Sequence, residues 1–101
     1  MPSFRARLQI GDLRPGHRPE EVMDVATAAL QATHEVAARD IEVVARVPRI
    51  VLRFTVDASN GHAEDDEARA AAARMAEAVA GVATTGRLDV LRRDGGRWRA
   101  V

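Results

Sequence analysis

Ile41-Glu42-Val43-Val44-Ala45-Arg46-Val47-Pro48-Arg49-Ile50-Val51-Leu52-Arg53-Phe54-Thr55-Val56 is the stretch that decides the fold. In its first half the alternating apolar residues are odd-numbered: Ile41, Val43, Ala45 and Val47. In its second half they are even-numbered: Ile50, Leu52, Phe54 and Val56. Alternation marks a half-buried strand, and one straight strand cannot change parity without a bulge. A tight hairpin at Pro48-Arg49 changes it naturally. Such a hairpin pairs Val47 with Ile50, Ala45 with Leu52, Val43 with Phe54 and Ile41 with Val56. Directly opposed residues share a face, so all eight apolar side chains enter one core. Pro-Arg lacks the Asn-Gly character of two-residue turns, and a four-residue loop from Val47 to Ile50 keeps the same register. This register predicts that Phe54 and Val43, with Leu8 and Met75 from neighbouring elements, are buried.

Upstream, Phe4, Ala6, Leu8 and Ile10 alternate with Arg5, Arg7 and Gln9, giving a strand over 4–10. Residues 11–18 hold two glycines and a proline and read as a loop. Pro19 suits the first turn of a helix, and Glu20 and Glu21 suit its positive end. Val22, Ala26, Ala29, Leu30, Thr33 and Ala37 form its apolar stripe, so this helix is expected to run to about Ala38.

Downstream, 58–62 is a loop and Glu64, Asp65, Asp66 and Glu67 open a second helix. Its stripe is Ala68, Ala71, Ala72, Met75, Ala78, Val79 and Val82, with Gly81 and Gly86 as stops. Leu88 and Val90 alternate with Arg87 and Asp89, a further strand. Asp94-Gly95-Gly96 is a hairpin signal, and 97–101 returns as an optional short fifth strand. The expected fold class is α+β in one domain, 1–101: a ferredoxin-like βαββαβ sandwich whose antiparallel sheet carries both helices on one face.

The chain has 101 residues, 47% of them apolar, enough for one core without staples. It has no cysteine, which excludes thiolate catalysis, zinc–thiolate sites, iron–sulfur clusters and disulfides. No apolar run reaches the length of a membrane span, and the N-terminus lacks the apolar region of a signal peptide. A cytoplasmic location without membrane association is expected. Acids and bases balance at 15 each, and every base is arginine. Together with the abundant alanine, the missing lysine reads as genome composition.

Charge is nevertheless sorted. Arg5, Arg7, Arg46, Arg53, Arg87 and Arg93 fall opposite the core face of the strands, against Glu42 and Asp89. Most acids fall on the helices. Arg5, Arg7, Arg46 and Arg53 are thus candidates for binding an anion or a small molecule, and a merely solvated face is the competing explanation. Sheet faces that read RNA stack bases on exposed aromatics. Here Phe4 and Phe54 fall on the core side, so nucleic acid is not expected. Val44, Val51, Leu91 and Trp98 also project outward and are interface candidates, with Trp98 the one tryptophan. Trp98 as a lid on the sheet edge is the alternative. A homodimer through the sheet face or edge follows from the first reading.

Catalytic signatures are sparse. His17, His34 and His62 are assigned to a loop, the first helix and another loop, so no metal site and no cofactor are expected. Ser3 and Ser59 lie in no nucleophile elbow, and the glycines form no phosphate loop. Met1-Pro2 followed at once by a strand resembles the start of the tautomerase superfamily, whose mature chains begin with a catalytic proline. That resemblance implies Pro2 as a base. The antiparallel 41–56 hairpin departs from that family's arrangement, and a retained Met1 would block the amine. The chain is accordingly expected to be a non-enzymatic interaction module. The alternatives are an anion-binding or small-molecule-binding face and a tautomerase-like enzyme using Pro2.

Overall fold

Alternation near the N-terminus becomes a strand with two unlike faces in the computed structural model, which describes residues 1–101. Strand β1 (Ser3–Leu13) buries Phe4, Ala6 and Leu8 and turns Arg5, Arg7 and Gln9 the other way. It is followed by α1 (Pro19–Gln31), β2 (Glu35–Val44), β3 (Val47–Thr55), α2 (Gly61–Ala80), β4 (Ala83–Asp94) and β5 (Arg97–Ala100). The five strands form one antiparallel sheet in the order β2-β3-β1-β4-β5. Apolar residues of both helices pack with Phe4, Leu8, Leu52, Phe54 and Val90 in a core of 18 residues. The molecule is thus α+β, with a five-stranded antiparallel sheet and two helices.

The β2–β3 hairpin turns at Ala45-Arg46, which corrects the turn expected at Pro48-Arg49. Ile41 pairs with Ile50, Glu42 with Arg49, Val43 with Pro48 and Val44 with Val47. Ala45 and Arg46 have φ of 51° and 67°, the two successive left-handed residues of a tight hairpin turn. Proline has φ fixed near −65° and cannot occupy either of those positions, so the turn moves to the residues before Pro48. The displacement is even-numbered, so the faces survive: Ile41 and Ile50 still share the helix side. What changes is depth. Val43, expected in the core, is 67% exposed, while Phe54, Leu8 and Met75 are buried as expected.

Helix α1 ends at Gln31, not near Ala38, and Glu35 already belongs to β2. The register of β2 against β3 shifts between Val36 and Ala38. The irregularity at Ala37 interrupts the period of two and lets Val36-Ala37-Ala38 pass for a continuing helix. Thr33 and Ala37 therefore leave the helical stripe. Thr27 joins it instead, its hydroxyl donating to the Met23 carbonyl at 2.7 Å.

Helix α2 is capped by Asn60, whose side chain accepts from the Ala63 N–H at 2.9 Å. Its buried stripe is Ala68, Ala71, Ala72, Met75 and Val79. Strands β1 and β4 run further than alternation suggested, to Leu13 and from Ala83, with irregular register between them beyond Leu8. There the Gln9 side-chain oxygen accepts from the Arg87 N–H at 3.2 Å. Phe4 and Phe54 stack at the centre of the core with ring centroids 6.0 Å apart. No helix is long and apolar enough to cross a membrane.

Candidate functional site: the outer sheet face

The sheet face away from the helices is built by cross-strand pairs. Between β1 and β3, Arg5 opposes Arg53, Arg7 opposes Val51 and Gln9 opposes Arg49. Between β1 and β4, Arg5 opposes Leu91 and Arg7 opposes Asp89. At the edge, Arg93 of β4 opposes Trp98 of β5. Two regions of different electrostatic character result.

One region is neutralised. Arg7 lies 3.9 Å from Glu42 and 3.5 Å from Asp89, and Arg87 donates to Asp89 at 2.7 Å. The other region is not. The guanidinium carbons of Arg5, Arg53 and Arg93 lie 4.2, 5.6 and 6.0 Å from the centre of the Trp98 ring. None of these three arginines has a carboxylate within ion-pair distance. Arg53 Nε donates to Ser3 Oγ at 3.1 Å and Arg93 Nε to the Gly95 carbonyl at 3.3 Å. Arg5 and Arg53 also line a recess of about 260 Å³, with Ala38 and Val51 beside them and Arg39, Asp40 and Glu42 around.

The four arginines named from the sequence are not brought together. Arg5 and Arg53 converge, Arg7 is held by acids, and Arg46 sits in the hairpin turn rather than on the sheet face. Arg93 takes the third place. The four apolar candidates also separate. Leu91 and Trp98 lie half-buried near the β5 edge, Val51 is buried, and Val44 is exposed at the hairpin tip. The indole of Trp98 lies over arginines of its own chain.

A second cluster, which sequence reading did not find, joins α2 to the loop after α1. His34 belongs to that loop and not to α1. Its side chain is 8% exposed and meets Phe54 edge-on at 5.7 Å. Nε2 is 2.8 Å from a Glu67 oxygen and Nδ1 is 2.8 Å from Thr33 Oγ1. A carboxylate can only accept, so Nε2 donates to Glu67, and in the neutral imidazole Nδ1 then accepts from the threonine hydroxyl. Hydroxyl, imidazole and carboxylate in a row resemble the parts of an acyl-transfer site, but that chemistry also needs free N–H donors for the oxyanion. The adjacent backbone N–H groups of Ala32, Thr33 and His34 all donate to the carbonyls of Ala28 and Leu30. The His34–Glu67 contact ties the loop after α1 to α2.

Met1, His34, Glu35, Asp57 and Glu67 line a concavity of about 460 Å³ beside it. The Pro2 carbonyl accepts from the Val56 N–H at 3.0 Å. No group of three or more His, Asp or Glu side chains is arranged to hold a metal ion.

On the helix side, Arg92 of β4 reaches two acids of α2, Glu64 and Asp65, each at 2.9 Å. Glu64 also accepts from the Ser59 N–H at 2.7 Å. That backbone bond first, and the Arg92 guanidinium second, hold the Glu64 carboxyl below the usual carboxylate range. The two acids in turn hold Arg92 in its charged form.

The third feature is the β2–β3 arm. Ile41, Val43, Val44 and Val47 are 61%, 67%, 51% and 37% exposed. Beside the arm runs a groove of about 300 Å³ lined by Ile10, Leu13, Val22, Met23, Pro48 and Ile50 among others. Comparison with protein-family models, curated proteins and solved structures finds no match to this chain.

Proposed function

We propose that the protein is a non-enzymatic interaction module, a ferredoxin-like sandwich extended by β5, that pairs with a second copy through the β2 edge and its arm. The observation that carries this reading is the exposure of Ile41, Val43, Val44 and Val47 on one projecting hairpin. Ile41 and Val43 point to the helix side, beside the apolar groove, and Val44 and Val47 point to the other face; apolar groups left exposed next to a groove mark an association surface rather than ordinary solvent-facing sheet. Strand β2 is also an edge strand, so one row of its backbone groups has no partner in the chain. The opposite edge is different: β5 is four residues long and carries Arg97 and Arg99, charges that guard an edge against pairing.

A second copy suits the patch because ridge and groove are adjacent on one surface. A two-fold axis then sets each ridge into the other copy's groove. The surroundings carry both signs, with Glu20, Asp24, Arg39 and Asp40 around one recess beside Ile41. A rim of one sign would repel its own copy; a mixed rim does not.

Solution mass by light scattering tests this. The parent chain is expected at twice the monomer mass, and Ile41→Arg with Val43→Arg at the monomer mass with unchanged circular dichroism. Trp98→Ala is expected to keep the parent's mass. A monomeric parent ends the reading, and a Trp98→Ala monomer moves the interface to β5.

A further inference from the structure

We infer that Arg5, Arg53 and Arg93, gathered around Trp98, form a binding site for a small ligand carrying several phosphate charges. The inference stands on the outer face and does not depend on the β2–β3 arm.

The cluster runs against the ordinary logic of a sheet. Arg5 and Arg53 are directly opposed on the two neighbouring strands β1 and β3. Like charges so placed repel. A third arginine, Arg93, then joins them at the same ring. Two strand positions away, the same face shows the usual remedy, with Arg7 between Glu42 and Asp89. None of the other three has a carboxylate within ion-pair distance, although Asp40 and Glu42 line the same recess as Arg5 and Arg53. The indole offsets part of the cost, because a guanidinium is attracted to the face of the ring. That attraction leaves most of the guanidinium N–H groups for an acceptor. The only protein acceptors they meet are Ser3 Oγ and the Gly95 carbonyl, neither of them charged.

The geometry selects the ligand class. Guanidinium forks match phosphate and carboxylate oxygens two at a time. Guanidinium carbons 4.2, 5.6 and 6.0 Å from one ring centre gather three positive charges around the indole. A monoanion neutralises one of them; a chain of phosphates engages all three. The adjoining recess, lined by Arg5, Arg39 and Arg53 with Ala38 and Val51, gives such a chain room to extend, while Asp40 and Glu42, which line it too, would repel anionic oxygens placed beside them.

The protein reports on this site itself, since Trp98 is its one tryptophan and it has no tyrosine. The test is a titration with inorganic triphosphate, followed by intrinsic fluorescence and by calorimetry. A saturable response is expected with Kd at or below about 1 mM, and inorganic phosphate should bind roughly tenfold or more weakly. Arg5→Gln and Arg53→Gln should each weaken triphosphate roughly tenfold or more, with circular dichroism unchanged. Arg74→Gln, on the exposed side of α2, should bind as the parent does. The site is overturned if neither heat nor emission saturates, or if sodium chloride at matched ionic strength reproduces the change. It is equally overturned if phosphate binds as tightly as triphosphate, or if the Arg5 and Arg53 variants bind like the parent.

Discussion

Ala45 and Arg46 stand in the left-handed region that asparagine and glycine occupy most readily. Ala45→Asn with Arg46→Gly should therefore stabilise the fold by about 1–2 kcal/mol, read as a higher urea midpoint with an unchanged slope. A lower midpoint would mean that Arg46 contributes through its side chain. Phe54 lies at the other extreme, fully buried against Phe4 and His34. Its truncation to alanine should cost about 3–5 kcal/mol through lost burial and the cavity left behind. Glu64 makes the fold sensitive to acid. Its carboxyl pKa is depressed in the folded state, so its stabilisation is present above the unfolded value and is lost as pH falls through the folded one. Glu64→Gln should be less stable than the parent at pH 7, and the gap should close in acid below the folded pKa. A gap that persists unchanged at low pH would assign the loss to packing instead.

Among the elements, α1 is weakly punctuated. Its N-cap residue is Arg18, whose side chain makes no capping hydrogen bond. Arg18→Asp should add about 1 kcal/mol by accepting from a free N–H of the first turn. The measurement is the thermal midpoint, and no change would show that the first turn is already satisfied. The elements that were legible in the sequence have an uninterrupted period. The arginines of β1 alternate cleanly with its apolar residues, β3 keeps even parity from Ile50 to Phe54, and α2 repeats alanine at helical spacing. Strand β2 was legible only from Ile41 to Val44, and its start and its turn were not, for two physical reasons. The irregularity at Ala37 breaks its period, and Ala45-Arg46 carries none of the residue preferences of the turn it makes. The candidate site was half legible. Alternation placed Arg5, Arg53, Arg93 and Trp98 on one face, but the gathering of these three arginines around the indole is a long-range contact that no spacing encodes.

For the molecule as a whole, the exposed arm, the cationic cluster and the Arg92 network occupy three different places on one sheet. Substitutions in one should leave the others intact, since well-separated sites act additively. Ile41→Arg with Val43→Arg should therefore change solution mass without changing the fluorescence response to triphosphate, and coupling between the two readouts would show a shared surface. The sheet order has a further consequence. Strand β1 is the one seam between the β2–β3 hairpin and the β4–β5 hairpin. It is made first, yet its two neighbours begin at Val47 and Ala83. During synthesis the central strand waits, unpaired on both sides, while each ribbon closes on its own local turn in microseconds. Joining them through β1 requires contacts between residues as far apart as Phe4 and Arg92. Loop closure over such separations slows folding, so the rate-limiting event should be the capture of the N-terminus, and substitutions in β1 should slow folding more than equally destabilising ones in β5.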